Sequence, residues 1–172
     1  MRGEYKTAFA AATLGLALLY ALPWIELNIF AQGAARIASL LSGSPVFETP
    51  EGWLLPVNAQ PILVTTACSG ATFFVISYTL LSWQLRRRMP SLLLTLVASL
   101  IPTLAFTLMI NGLRIVCLAH AHHWIIPHLP ASYAAFAHLL VGVAVFLPSL
   151  ICLNLLLEYN ANTNYATAKT IN

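Results

Sequence analysis

Apolar positions along this chain run in long blocks separated by short polar stretches, not in the alternation of a half-buried sheet. Four blocks approach the roughly 20 apolar residues that a helix needs to cross a bilayer. They run from about Thr7 to Ile25, Ala67 to Leu85, Ser91 to Cys117 and Tyr133 to Leu157. The first ends at Pro23-Trp24 and has no clear small-x-small cleavage site before Pro23. With Trp as an interfacial anchor, it reads as an uncleaved span and not as a signal peptide. The second stops at Arg86-Arg87-Arg88, and Pro102 predicts a kink in the third.

The stretch from Leu27 to Gly43 has a different pattern. Asn28, Gln32, Arg36 and Ser39 recur at helical spacing, with Ile29, Phe30, Ile37, Leu40 and Leu41 mostly on the other side. That predicts an amphipathic helix lying in the membrane interface. Pro45, Pro50, Pro56 and Pro61 then rule out a long helix. Pro50-Glu51-Gly52-Trp53 reads as a turn between short extended pieces, and Ile62 to Thr66 has β-branched strand character, which predicts a possible β-hairpin. His120, His122, His123 and His128, with Pro127 and Pro130, read as a short loop, and the polar segment from Glu158 to Asn172 as a disordered tail.

Composition sharpens the class. Of 172 residues 59% are hydrophobic and only 8% charged, against about 25% charged in a soluble domain. The expected architecture is an all-α integral membrane protein of about four spans, with one transmembrane domain over 1–157 and a cytoplasmic tail over 158–172. Charge placement orients it. With the N-terminus inside, Arg2, Lys6, Arg86, Arg87, Arg88 and Lys169 are cytoplasmic and only Arg36 and Arg114 are outside, as the positive-inside rule requires. Both termini are then cytoplasmic, and the proline-rich loop is extracytoplasmic. The chain has no Asp, and its five acids are scattered, so no carboxylate pair for acid–base work stands out. Cys68, Cys117 and Cys152 are odd in number and lack metal-ligand spacing, which argues against a disulfide scaffold. A Cys68–Cys117 bridge remains an alternative to a free thiol at Cys68.

In this orientation three chemically active side chains fall at one membrane face. Cys68 starts the second span, Arg114 lies near the outer end of the third, and His138 near the start of the fourth. Each has a plainer reading: a packing cysteine, an arginine reaching for the interface, a histidine satisfied in the core. Against these stands a thiol at a helix N-terminus, where a thiolate is favoured, beside a guanidinium suited to a carboxylate or an oxyanion.

Ala67-Cys68-Ser69-Gly70, Asn111-Gly112-Leu113-Arg114-Ile115 and His138-x3-Gly142-x3-Phe146 resemble the three signatures of the exosortase/archaeosortase family. These are multi-pass membrane enzymes thought to act as cysteine transpeptidases on C-terminal sorting signals. The resemblance covers about Val64 to Phe146, and this chain is a short form with fewer spans than many members. It implies Cys68 as nucleophile, Arg114 as stabiliser of the developing charge and His138 as acid/base, supported by Ser69, Gly70 and Asn111. It implies as partner a membrane-anchored protein ending in a recognition motif, a transmembrane helix and a basic cluster.

The chemistry this arrangement would perform is an attack by the Cys68 thiolate on a peptide carbonyl just outside the substrate's own membrane helix. Arg114 and the N–H groups of Ser69 and Gly70 would face the oxyanion, and His138 would protonate the leaving amine. No cofactor, metal or nucleic acid enters this expectation; the bilayer of the cell inner membrane does. Two other classes compete: a non-enzymatic membrane scaffold packed through Gly and Ala, and a metal or haem carrier using His120, His122, His123 and His128.

Overall fold

The computed structural model describes the chain except for Met1, Leu22, Asn58, Ala59, Ile126, Pro127, Leu129, Ala131, Ser132, Ile171 and Asn172. It is mostly helical with a small three-stranded sheet. Helix α1 (Arg2–Ala21) leads through a single turn, α2 (Pro23–Ile25), into a π-helical stretch (Glu26–Ala31) and α3 (Gln32–Ser42). Gly43 ends α3 in the left-handed conformation at φ 68°, the usual glycine stop. Strands β1 (Phe47–Thr49), β2 (Gly52–Val57) and β3 (Gln60–Val64) form an antiparallel meander. A 3₁₀ turn (Thr66–Cys68) then precedes α4 (Ala71–Arg86), α5 (Leu92–Trp124) and α6 (Ala134–Thr170).

Among the described residues two helical segments are long and apolar enough to cross a membrane, Leu92–Trp124 and Phe136–Tyr159. The segments Tyr5–Ala21 and Glu26–Ser42 meet that test only together, as a pair bent by 100°. Helix α4 has 16 residues, about 24 Å at 1.5 Å per residue. It starts at Ala71, not at Ala67 as the hydropathy suggested, because Gly70 adopts φ 73° and breaks the helical path. Helix α5 runs past the expected end near Cys117 and carries His120, His122 and His123 on its last turns. The physical reason is that no Gly or Pro interrupts the chain between Gly112 and Pro127. The polar stretch from Glu158, which composition reads as a disordered tail, continues α6 as helix to Thr170. Extending an existing helix costs far less than nucleating one.

The strand expectation holds for Ile62 to Val64, while Thr65 and Thr66 leave the sheet for the 3₁₀ turn; Thr49 pairs with Gly52 across the Pro50-Glu51 turn, and Trp53 with Val64 on the other side. The buried face of α3 is not the one that its large apolar residues suggested. Ala34, Ala35 and Ala38 are fully buried, whereas Leu40 and Leu41 are 83% and 55% exposed. Small residues let α3 lie close against α5, where a Cβ on Gly112 would come within 3.2 Å of the Ala34 carbonyl oxygen. Trp53, Leu55, Val57 and Val64 of the sheet close over the same cluster with Ile115 and Ala119.

A polar row runs down the inner face of α5. Thr95, Ser99, Thr103, Thr107 and Asn111, four residues apart, are all buried. Ser99 Oγ meets Ser82 Oγ of α4 at 2.7 Å, and Tyr78 Oη donates to the Leu96 carbonyl at 2.9 Å. At the far end of the bundle Gln84 Nε2 donates to Asn154 Oδ1 at 3.0 Å and Arg88 Nη2 to the Leu157 carbonyl at 3.0 Å. The opposite end of the polar row is Asn111, which meets Cys68, Ser69 and Arg114.

Candidate active site

Cys68 closes the 3₁₀ turn, three residues ahead of α4 and not inside its first turn. Its N–H donates to the Thr65 carbonyl at 2.9 Å, and the N–H of Ser69 donates to the Thr66 carbonyl at 3.0 Å. The turn is pinned from α5. Asn111 Nδ2 donates to the carbonyl oxygens of Cys68 at 2.6 Å and Ser69 at 2.8 Å. Gly70 is required here twice over. Its φ is 73°, and a Cβ would lie 2.8 Å from Asn111 Cγ, so both backbone conformation and the amide's approach exclude a side chain.

Ser69 is buried, and its hydroxyl donates to Glu26 Oε1 at 2.8 Å. Ser69 Oγ in turn accepts from the N–H of Ala71 at 3.3 Å. Glu26 opens the π-helical stretch, so this bond ties the 3₁₀ turn to the segment after the first helix. The expectation that Ser69 N–H faces an oxyanion is corrected: that group is committed to Thr66, and the serine works through its hydroxyl. Gly70 N–H takes no hydrogen bond among the described residues.

Arg114 stands one helical turn beyond Asn111 and approaches its Oδ1 at 3.5 Å through Nη1. Its Nε is buried with no hydrogen-bond partner, and no carboxylate pairs with it among the described residues. Helix α6 cradles the guanidinium. Phe146 lies under it at 5.3 Å from Cζ to ring centroid, and stacks in turn on Phe73 of α4 at 4.4 Å. Gly142 leaves the space, since a Cβ there would sit 3.4 Å from Arg114 Nε. A cation over an aromatic face in an apolar setting is held without being neutralised. It remains available for an anion.

His138, in the second turn of α6, lines with Arg114, Gly142 and Phe146 one apolar cavity of about 380 Å³ between α4, α5 and α6. Its Nε2 lies 2.7 Å from His122 Nε2. The expected histidine loop is thereby corrected. His120 Nδ1 bonds the Val116 carbonyl at 2.9 Å, His122 is paired with His138, and His123 rests edge-on against Trp124. Among the described residues no three His, Cys, Asp or Glu side chains come together as metal ligands.

Of the predicted trio, Arg114 and His138 share a cavity. Cys68 is joined to Arg114 through Asn111, by its backbone, and its sulfur makes no hydrogen bond to either partner among the described residues. Cys68, Cys117 and Cys152 are all free, so the Cys68–Cys117 bridge does not form. The contacts that sequence reasoning missed are Glu26 on Ser69 and His122 on His138. Glu26 had one signal, a carboxylate at the edge of an apolar block. His122 had none, because its role depends on α5 continuing where a loop was expected. Comparison with protein-family models, with curated proteins and with solved structures finds no match.

Proposed function

We propose that this protein is a membrane-embedded cysteine protease or transpeptidase that cleaves C-terminal segments of membrane-anchored exported proteins. In this reading α1, α4, α5 and α6 span the cell membrane, α3 rests at the interface, and the triple arginine end is cytoplasmic. The site then opens at the extracytoplasmic face. The observation that carries the reading is the Asn111 link: one buried amide holds the Cys68 and Ser69 carbonyls while its oxygen meets Arg114.

The reaction follows from the groups present. The Cys68 thiol loses its proton to His138 and attacks a peptide carbonyl, and Arg114 faces the oxyanion that forms. His138 returns the proton to the leaving amine as the C–N bond breaks, leaving a thioester on Cys68. Water or a second nucleophile then releases the acyl group. Hydrogen bonds of this kind commonly tighten only when the substrate is bound. Resemblance of the three motifs to the exosortase/archaeosortase family supports the same assignment.

The test compares the C-termini of exported membrane proteins in cells carrying the wild type and Cys68→Ala. Shortened proteins that revert to full length only in Cys68→Ala, Arg114→Ala and His138→Ala support the reading. Identical C-termini in wild type and Cys68→Ala overturn it and favour a scaffold.

A further inference from the structure

Besides Asn111, a side chain that the sequence did not single out for the site is bonded directly to a candidate catalytic group. His122, at the end of α5, and His138, near the start of α6, meet Nε2 to Nε2 at 2.7 Å with their rings at 72°. Two ring nitrogens at that distance share a single proton, because one must donate and the other accept. Neither Nδ1 has a hydrogen-bond partner among the described residues.

This geometry limits the protonation states of the pair. In the neutral pair one ring carries Nε2–H and a free Nδ1 lone pair, and the other carries Nδ1–H and accepts at Nε2. One added proton enters at the free Nδ1 and turns the shared bond into a charge-assisted one, which is stronger. A second added proton sets two N–H groups face to face and breaks the contact.

Resting on the function proposed above, we propose that His122 is a positioning residue for His138. It accepts from His138 Nε2–H and so leaves His138 Nδ1 as the nitrogen that moves protons. The Cys68 proton passes to His138 Nδ1 as the S–C bond forms. It leaves the same atom for the departing amine as the C–N bond breaks. The Nε2–H proton stays within the pair throughout. A carboxylate usually holds this third position, but none lines the cavity among the described residues; Arg114 of α5 is the charged group among them that shares it, while α4 contributes Thr72, Phe73 and Ile76. A neutral imidazole therefore supplies the acceptor without placing a negative charge in an apolar site.

The experiment uses the full chain in lipid nanodiscs with ¹⁵N-labelled histidines, and follows ring signals across pH in wild type, His122→Ala and His122→Gln. The expected result is His138 protonated at Nε2 and bare at Nδ1 in the wild type. His122→Ala loses that preference, and His122→Gln, whose amide oxygen also accepts, restores it. In parallel, thioester formation on Cys68 is timed against membranes of the producing cell. His122→Ala slows it about tenfold or more and displaces the acid limb of its pH profile, and His122→Gln recovers much of the rate. A His138 tautomer and pH profile identical in wild type and His122→Ala overturn the inference. If no variant, wild type included, forms a thioester, the proposed function fails while the ring spectra still judge the pairing.

Discussion

Asn111 Nδ2 sits 2.6 Å from the carbonyl oxygen of Cys68, reaching across 43 residues of sequence from α5. With the bond to Ser69 at 2.8 Å, the amide closes the polar row of α5 onto the turn that carries the candidate nucleophile. Replacement by Leu strands two carbonyl acceptors, that of Ser69 in a buried place and that of Cys68 in a half-buried one. Loss of buried hydrogen-bond partners costs about 1–3 kcal/mol each, so Asn111→Leu lowers the unfolding midpoint clearly. Asn111→Asp is also destabilising, because one carboxylate oxygen then faces two carbonyl oxygens, with the other oxygen gaining Arg114 as a partial offset. Thermal unfolding of the purified protein in detergent measures both.

Two glycines with nearly the same backbone separate conformation from contact. Gly43 has φ 68° and open space around a would-be Cβ, whereas Gly70 has φ 73° and meets Asn111 at 2.8 Å. Asn tolerates the left-handed region. Gly43→Asn is therefore expected to be close to neutral, while Gly70→Asn destabilises the chain and dislodges the Cys68 turn. Equal effects of the two substitutions would contradict the role given to the Asn111 contact.

The approach of α3 to α5 rests on Gly112. A Cβ there would lie 2.6 Å from Ile37 Cγ2 and 3.2 Å from the Ala34 carbonyl. Gly112→Ala is expected to cost about 1–3 kcal/mol through overpacking. Ile37→Ala in the same chain recovers only part of that loss, since it removes Cγ2 but keeps a Cβ 2.9 Å away and leaves the Ala34 carbonyl contact. A double-mutant cycle reads the coupling.

Arg114 and Phe146 act as a unit. The planar guanidinium lies over the ring with its Nη1 toward Asn111, a placement that a lysine ammonium does not reproduce. Arg114→Lys keeps the charge and is expected to lose nearly as much thioester formation as Arg114→Ala. Phe146→Leu keeps an apolar side chain but removes the ring face, and its expected loss is smaller. Rates from quenched time courses separate the two.

How far the sequence reaches depends on whether a feature is local. Long apolar runs mark α5 and α6 because hydropathy is a property of consecutive residues, and the prolines with Glu51-Gly52 mark the strand turn for the same reason. The alanine face of α3 was hidden, because hydropathy weights Leu40 and Leu41 over the small residues that permit close approach. The row Thr95, Ser99, Thr103, Thr107 and Asn111 was present as a four-residue spacing, yet each member reads singly as a tolerated polar residue in an apolar helix. Glu26 on Ser69 and His122 on His138 required knowing which helices pack, and no spacing along one chain supplies that.

The account turns on whether the Cys68 sulfur carries an acyl group during turnover. Protein incubated with membranes of the producing cell, quenched in acid and digested, is read by mass spectrometry for a hydroxylamine-labile adduct on the peptide containing Cys68. The expected result is such an adduct on Cys68, none on Cys117 or Cys152, and a much lower yield in Arg114→Ala and His138→Ala. A Cys68 peptide that stays unmodified under every condition would contradict it.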